Sequence, residues 1–345
     1  MTPDSNNKHE RRPWKNLVAK YQMSETSKSV WQFINTFIPF VACWYLMYLS
    51  LGVSYWLTLL IALPATGFIM RLFIIQHDCG HGSFFKSNRA YDLCGMFCSV
   101  FNLTPYHYWK KTHAIHHAKV GNLQDRGIGD IYTMTVDEYL SRTKWGRFRY
   151  RFYRNPVILF LVIPIFLFTI IYRFPTYRYK ELKPYYNGVY LTSAAIILLA
   201  AGLIWLVGLK AFLLIQVPIT FISSSTGMWM FYVQHQFEDT YWNGGEGWDF
   251  TDAAMQGSSY YKLPKILQWF TGNIGFHHIH HLSPKIPNYK LEKCYKENPE
   301  FQNVATLTLL SSLRSMFLNL WDEKHKKLIS FYNLKKTMRQ ATFIT

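Results

Sequence analysis

A chain of 345 residues is long enough for two soluble domains, but its composition argues against that class. Half of the residues are hydrophobic and 18% are aromatic, yet the formal net charge is +17 and the mean hydropathy is −0.04, which indicates separate apolar and basic blocks. The five cysteines are odd in number and form no C-x-x-C pair, so a disulfide scaffold is excluded and the metal-facing side described below is expected in a reducing compartment.

The first part of the chain predicts a cytosolic segment followed by a membrane hairpin. Residues 1–29 are polar and basic, and we expect no cleavable signal peptide there. Two apolar runs follow at about residues 30–49 and 55–75, and about 20 apolar residues are enough to cross the hydrocarbon layer. The connection between them, residues 50–54, has no charge, and Trp and Tyr flank it.

Three short histidine clusters lie at residues 77–81, 113–117 and 277–281. They contain nine of the thirteen histidines, and His235 stands alone before the third cluster. Within the clusters the histidines are spaced three or four residues apart, which places them on one face of a helix. Because imidazole binds iron, copper, zinc and nickel, this spacing predicts that the clusters share a metal centre.

Three further apolar runs lie between the second and third clusters, at residues 156–172, 188–208 and 211–233. If all clusters meet at one centre, the number of spans between them must be even. Residues 156–172 form the weakest candidate, because this run has 17 residues, an internal proline and a basic loop after it. The positive-inside rule keeps that loop in the cytosol, so we predict that 156–172 is re-entrant or interfacial.

The resulting prediction is an all-α polytopic membrane protein with four transmembrane helices in two hairpins. A cytosolic helical cap holds a di-metal site, and both termini are cytosolic. The membrane and metal domain covers residues 30–300, and residues 301–345 form a cytosolic amphipathic and basic C-terminal segment. The outer loops then carry little charge besides Lys210, and this asymmetry supports the topology independently of the histidines.

The number of histidines favours two metals. A single zinc needs four ligands and usually recruits cysteine. The eight clustered histidines other than His278, or nine with His235, suit two redox metals with open positions. Iron and dioxygen chemistry are favoured. Carboxylates near the clusters are candidates to orient the rings, although each could equally have a surface role: Asp78, Asp125, Asp130, Glu238, Asp239, Asp249 and Asp252.

A metal centre at the ends of membrane helices predicts a lipid substrate. Oxidising an unactivated alkyl chain requires two electrons from outside, and the sequence contains neither G-x-G-x-x-G nor a His-Pro-Gly-Gly segment of a fused cytochrome b5 domain. We therefore expect a separate donor protein, which a basic cytosolic face would attract. The same charge could instead set the topology and bind anionic lipid, and no nucleic-acid partner is expected.

The motifs as a whole resemble one family. Residues 76–86 (QHDCGHGSFFK), 113–132, 232–241 (YVQHQFEDTY) and 257–289 are similar to the bacterial acyl-lipid branch of the membrane fatty acid desaturases. The resemblance covers about residues 30–300. It implies a non-haem di-iron centre, dioxygen as co-substrate, and a cis double bond introduced into a long acyl chain. It also implies electrons from a ferredoxin, a flavodoxin or a cytochrome b5-type protein.

The resemblance also implies a ligand set and two departures from the acyl-CoA branch. The implied ligands are His77, His81, His113, His116, His117, His235, His277, His280 and His281. His278 falls where that branch has Asn, so we expect it to be no ligand. Phe231 stands, four residues before the lone histidine, where that branch has another Asn that contacts iron through water. The departure leaves that coordination site to water or to another residue, and it favours an acyl-lipid substrate.

Two other functions fit parts of this pattern. A hydroxylase or ketolase on the same scaffold would carry the same histidines, because desaturation and hydroxylation diverge after the same first hydrogen abstraction. A non-enzymatic metal-binding or metal-transport membrane protein would instead place ligands inside the spans, whereas these clusters lie just outside them.

Overall fold

The computed structural model describes residues 14–127, 129–176 and 179–342. The predictions made for residues 1–13 and 343–345, at the two basic ends of the chain, lie outside the described residues. The helices are α1 (Trp14–Ala19), α2 (Thr26–Ser50), α3 (Tyr55–His81), α4 (Asn88–Phe101), α5 (Tyr106–Lys119), α6 (Val136–Ser141), α7 (Lys144–Tyr153), α8 (Ile163–Thr169), α9 (Tyr186–Val207), α10 (Leu209–His235), α11 (Phe250–Gln256), α12 (Lys265–Phe270), α13 (His277–Leu282), α14 (Asn288–Glu297), α15 (Leu309–Ser312) and α16 (Phe331–Thr342). The strands are β1 (Met134–Thr135), β2 (Tyr260–Tyr261), β3 (Thr306–Leu307), β4 (Leu320–Asp322) and β5 (Lys327–Ile329).

Four helices among the described residues are long and apolar enough to cross a membrane: α2, α3, α9 with the turn before it, and α10. They form two hairpins. The first turns through residues 51–54, and Ser50 and Thr58 share a hydrogen bond of 2.7 Å across that turn. The second turns at Gly208, whose φ of +83° lets one residue separate α9 from α10. The predicted fold class is confirmed.

The apolar run 156–172 lies in a bent element. A π-helical turn (Ile158–Val162) leads into α8, and this stretch is bent by 53° relative to α7, so the pair is either a fifth, broken span or a re-entrant segment. Phe160 packs edge-on against Trp229 and Tyr232 of α10, with ring centroids 5.0 Å apart in both pairs. The re-entrant assignment stays a prediction.

Two small sheets join the C-terminal segment to the rest of the cap. In one, β4 pairs in parallel with β1 and antiparallel with β5; in the other, β2 pairs in parallel with β3. The sequence pattern did not predict these strands, because two or three residues carry no readable alternation. Within the C-terminal segment, residues 304–320 form β3, α15, a 3₁₀ turn and the start of β4.

Arg154 fixes the end of α10 that carries His235. Its side chain is buried and donates to the Tyr232 hydroxyl (3.0 Å), the Gln236 Oε1 (3.1 Å) and the carbonyl of Leu318 (2.7 Å). No carboxylate contacts this guanidinium among the described residues, so neutral acceptors satisfy the buried charge. The network holds α7, α10 and the C-terminal segment together beside His235.

Candidate metal centre

The first cluster is the last turn of α3. The helix ends at His81 because Gly82 adopts a φ of +63°, which favours glycine. The amides of Gly82 and Ser83 then donate to the carbonyls of Cys79 and Asp78, both at 3.0 Å. This cap fixes the helix end, so His77 and His81 face the interior from successive turns.

The second cluster lies on α5 and faces the first. Trp109 lies one helical turn before His113 on the same face of α5, and the two rings stack with centroids 4.5 Å apart. His116 and His117 are buried. Adjacent residues on a helix point about 100° apart, so these two rings are directed to different places.

The third cluster is the short helix α13, in which every residue is buried. Its start is held by Phe276, which stacks on Tyr260 with centroids 4.6 Å apart. His235 is the last residue of α10, and its Nδ1 lies 3.0 Å from the carbonyl oxygen of Gly257. Elements far apart in the sequence therefore bring all the expected histidines to one place.

The nine histidines expected as ligands separate into two groups in the described part of the chain. Within each group the ring nitrogens available as ligands all lie within 4.8 Å of one another. The five-histidine group consists of His77, His81, His113, His117 and His280, and the four-histidine group consists of His116, His235, His277 and His281. The second and third clusters each contribute to both groups.

The donor set fits a metal in each group. The Nε2 of His117 lies 3.1 Å from that of His113 and 3.0 Å from that of His280. In the other group, the Nε2 of His277 lies 3.1 Å from that of His281 and 3.0 Å from that of His235. Nitrogens bound about 2.1 Å from a metal at right angles are about 3 Å apart. The Nε2 atoms of His77 and His81 are buried without a hydrogen-bond partner among the described residues, so no protein group competes with a metal for these nitrogens.

The protonation state also suits metal binding. Burial lowers the pKa of His113, His117, His280 and His281 well below the usual value for histidine, and neighbouring imidazoles lower it further. A metal requires the neutral imidazole, and the site favours that form near neutral pH.

Two of the seven carboxylates proposed as ring-orienting groups contact a histidine. Asp130 lies 2.6 Å from the Nδ1 of His116, and Asp78 lies 3.2 Å from the Nδ1 of His77. The Nδ1 atoms are thereby oriented, which leaves Nε2 toward the centre. Four of the other carboxylates have partners away from the histidines. Asp125 pairs with Lys119 and Glu238 with Lys327, while Asp249 caps α11 and Asp252 accepts a hydrogen bond from Gln256. For Asp239, no contact to these histidines is observed within the described residues.

Three further residues lie beside the centre, and one of them, Asn288, carried no sequence signal. Asn288 donates to the Asp78 Oδ2 through its backbone amide (2.7 Å) and its side chain (2.8 Å). His278 lies outside both groups, and its Nε2 is 3.0 Å from the carbonyl oxygen of Phe301. Phe231 lies against the four-histidine group, with its ring centroid 5.3 Å from that of His116 and 5.5 Å from that of His235.

A cavity of about 350 Å³ connects both groups to the helices of the first and second hairpins. One end of the cavity lies at the histidines: it is lined by His77 and His113 of the five-histidine group and by His277 of the four-histidine group. On α10, its wall extends from Gln234 to Gln216, a helical stretch of about 27 Å. The wall between these ends is mainly apolar, with Ile69, Met70, Phe73, Phe168 and Met228 among its residues.

The fold and the site together define a helical membrane protein with a candidate di-metal centre made of histidines. The sequence model of the family described as fatty acid desaturase matches residues 54–308. A fatty acid desaturase of Bacillus subtilis is 48% identical over 95% of this chain and 92% of its own length. An sn-1 acyl-lipid omega-3 desaturase (ferredoxin) of Synechocystis is 27% identical over 64% of this chain and 62% of its own length. An sn-1 oleoyl-lipid 12-desaturase of Anabaena variabilis is 28% identical over 73% of this chain and 72% of its own length. The chain belongs to the fatty acid desaturase family, whose members are oxidoreductases.

Proposed function

We propose that this protein is an O2-dependent desaturase that introduces a cis double bond into long acyl chains of membrane lipids. Two non-haem irons are proposed, one in each histidine group. The observation that carries the proposal is the cavity: it begins at histidines of both groups and follows α10 into the apolar layer. A mainly apolar cavity of this kind fits a hydrocarbon chain.

The irons, when bound, would supply the activation of dioxygen needed to remove hydrogen from an unactivated chain. The chain's own residues position the reactants. Met70 and Phe73 on α3 and Gly227 on α10 line the passage in which the acyl chain would be held below the histidines. The Asp130 carboxylate holds the His116 ring, while Phe231 keeps an apolar surface between the cavity and the four-histidine group.

We propose that the metal centre faces the cytoplasm and that the protein lies in the cell membrane. The turn between α2 and α3 has no charge, and the turn between α9 and α10 is followed by a single lysine, Lys210. Nearly all other basic residues lie toward the opposite ends of these helices, which is the distribution that the positive-inside rule gives for cytoplasmic loops.

The electron donor is proposed to be a separate small protein. A relative from Synechocystis carries ferredoxin in its name, and a flavodoxin or a cytochrome b5-type protein would supply the same electrons. The sequence offers no flavin, haem or nicotinamide motif of its own.

The function is tested by expression in a bacterial host that lacks acyl-lipid desaturases, followed by gas chromatography–mass spectrometry of the lipids. We expect a new double bond in phospholipid acyl chains that depends on oxygen and on a reductant. Hydroxylated lipid without a double bond would replace this proposal with the hydroxylase alternative. Bound metal without any oxidised lipid would favour a metal-binding protein.

A further inference from the structure

The two groups differ in how far their histidines reach the surface. Seven of the nine candidate ligands are at most 7% exposed, whereas His81 and His113 are half-buried. His113 lines the cavity, so its exposed edge faces the proposed substrate. His81 does not line the cavity, and its backbone carbonyl accepts a hydrogen bond of 2.8 Å from the exposed Lys285.

Basic side chains lie beside His81 and the neighbouring Gly82. A Cβ built on Gly82 would lie 3.3 Å from the Nζ of Lys285 and 3.2 Å from the ring of Tyr91. The ammonium of Lys110 lies over the same Tyr91 ring, 5.0 Å from its centroid. Two exposed basic residues, Lys86 and Arg89, lie between Gly82 and Tyr91 in the sequence. We call this surface the Lys285 patch. Contacts place Lys285 and Lys110 at Gly82 and Tyr91, and we assign Lys86 and Arg89 to the patch because of their exposure and their position in the sequence.

The charge of the Lys285 patch is largely uncompensated. Lys285, Lys86 and Arg89 form no ion pair with a carboxylate in the described part of the chain. Asp92 is the carboxylate that contacts the patch, and it is already held by Lys110 (3.0 Å) and the Tyr106 hydroxyl (2.9 Å). The patch therefore presents an excess of positive charge directly outside a candidate metal ligand.

A second basic surface of the molecule has a different composition. Helix α7 carries arginines beside a row of exposed aromatic rings, Trp145, Phe148 and Phe152, which are 55–65% exposed. This combination suits the membrane interface. Lys285 lies between α13 and α14, where no large hydrophobic side chain among residues 270–308 is exposed. That part of the patch suits an aqueous protein partner.

Resting on the desaturase function proposed above, we propose that the Lys285 patch docks an acidic, soluble one-electron donor protein and that electrons enter the metal centre past Gly82 and His81. Each double bond formed removes two hydrogens from the acyl chain and reduces O2 to two waters, with two further electrons and two protons taken up. Two reduced donor proteins are oxidised by one electron each. Electron transfer becomes slower with distance, and the half-buried His81 gives a donor bound at this patch a short route to the five-histidine group.

The test compares charge reversals in purified protein held in neutral phosphatidylcholine nanodiscs. Lys285→Glu, and separately the double variant Lys86→Glu/Arg89→Glu, are titrated with an acidic ferredoxin, and Kd is measured with and without added salt. We expect Kd to rise by about tenfold, within the ~1–3 decades seen for interface mutants, and to lose much of its salt dependence. Lys324→Glu, on the exposed turn between β4 and β5, makes the same charge change elsewhere and is expected to leave Kd unchanged.

Measuring turnover with two reductants distinguishes a failure of the docking proposal from a failure of the proposed function. Ferredoxin-driven turnover of the Lys86→Glu/Arg89→Glu variant should fall, while turnover driven by dithionite-reduced methyl viologen and the iron content should match the control variant. Equal Kd values for patch and control variants would overturn the docking proposal. So would unchanged ferredoxin binding combined with a new dependence on phosphatidylglycerol in the nanodiscs, because the patch would then bind lipid. Absence of desaturation by the unmodified protein with either reductant would instead refute the proposed function.

Discussion

The five-histidine and four-histidine groups use the same side chain but differ in their surroundings. In the five-histidine group, His81 and His113 are half-buried, one toward the surface and one toward the cavity. In the four-histidine group, every ring is buried, Asp130 orients His116, and the phenyl ring of Phe231 lies against the group. The difference indicates that the five-histidine group has the shorter route to a donor at the surface, while the four-histidine group is enclosed by protein except where His277 and Phe231 line the cavity.

Removing one ligand from each group gives the largest expected effect. His280→Ala and His235→Ala should each abolish the lipid product, because the proposed chemistry requires both irons. Each variant should also lose the metal of its own group and retain the other. Gas chromatography–mass spectrometry and iron analysis of the purified variants check both points. Loss of all metal from both variants would show that the groups are not separate sites.

Asp130→Asn should weaken the four-histidine group selectively. Without the carboxylate, the His116 ring loses its oriented Nδ1, and such changes lower metal affinity by about 10–100-fold. Chelator titration of the purified protein should show one iron released earlier than in the unmodified protein. Asp78→Asn is the matching change beside His77. If Asp130→Asn released both irons equally, the assignment of this carboxylate to one group would be wrong.

Phe231→His should make the two groups more alike. A fifth imidazole beside His116 and His235 could fill the coordination site that Phe231 leaves to water or to another residue. We expect the iron of this group to leave more slowly in a chelator assay and desaturation to fall several-fold. Faster desaturation with unchanged iron release would contradict the idea that an open position on this side is needed.

Gly227→Leu should separate substrate binding from metal binding. A Cβ at Gly227 would face Met70 across the cavity at 3.9 Å from its sulfur, so a leucine would obstruct the passage below both groups. Iron content should stay unchanged while products from the longest acyl chains decline more than those from shorter ones. Gly202→Leu is the control, since nothing lies within 4 Å of a Cβ at that glycine. An unchanged chain-length profile would show that the acyl chain lies elsewhere.

His278→Ala should have the smallest effect on the centre. The residue lies in the third cluster but outside both groups, and we expect iron content to remain unchanged and product to fall by no more than about twofold. Losing the contact to the Phe301 carbonyl should cost about 1–3 kcal/mol of stability, because a buried acceptor is left unpaired. Thermal unfolding in detergent measures this cost. Loss of one iron would make His278 a ligand.

Much of the site followed from the sequence because helical spacing is local. The i, i+3 and i+4 pattern predicted that each cluster presents its rings together, and a shared centre in turn required an even number of spans between the second and third clusters. The division into groups was not predicted. His116 and His117 point about 100° apart on α5 and enter different groups, which can be assigned only once α3, α10 and α13 are placed around them.

Other features depended on contacts between distant residues. Asn288 bonds Asp78 from a position 210 residues away, and no pattern in either segment indicates the contact. The strands β1 to β5 are too short for a readable alternation, and they exist because the C-terminal segment folds back on the cap. Phe231 was noted as a departure from the resembled family, but its contact with two histidines required the fold.

The central claim is that the nine histidines hold two irons, one in each group. Anomalous X-ray scattering at the iron absorption edge, from crystals of the purified protein, tests it most directly. We predict two iron peaks, one within the five-histidine group and one within the four-histidine group. A single peak between the groups, or iron bound away from these histidines, would contradict the account.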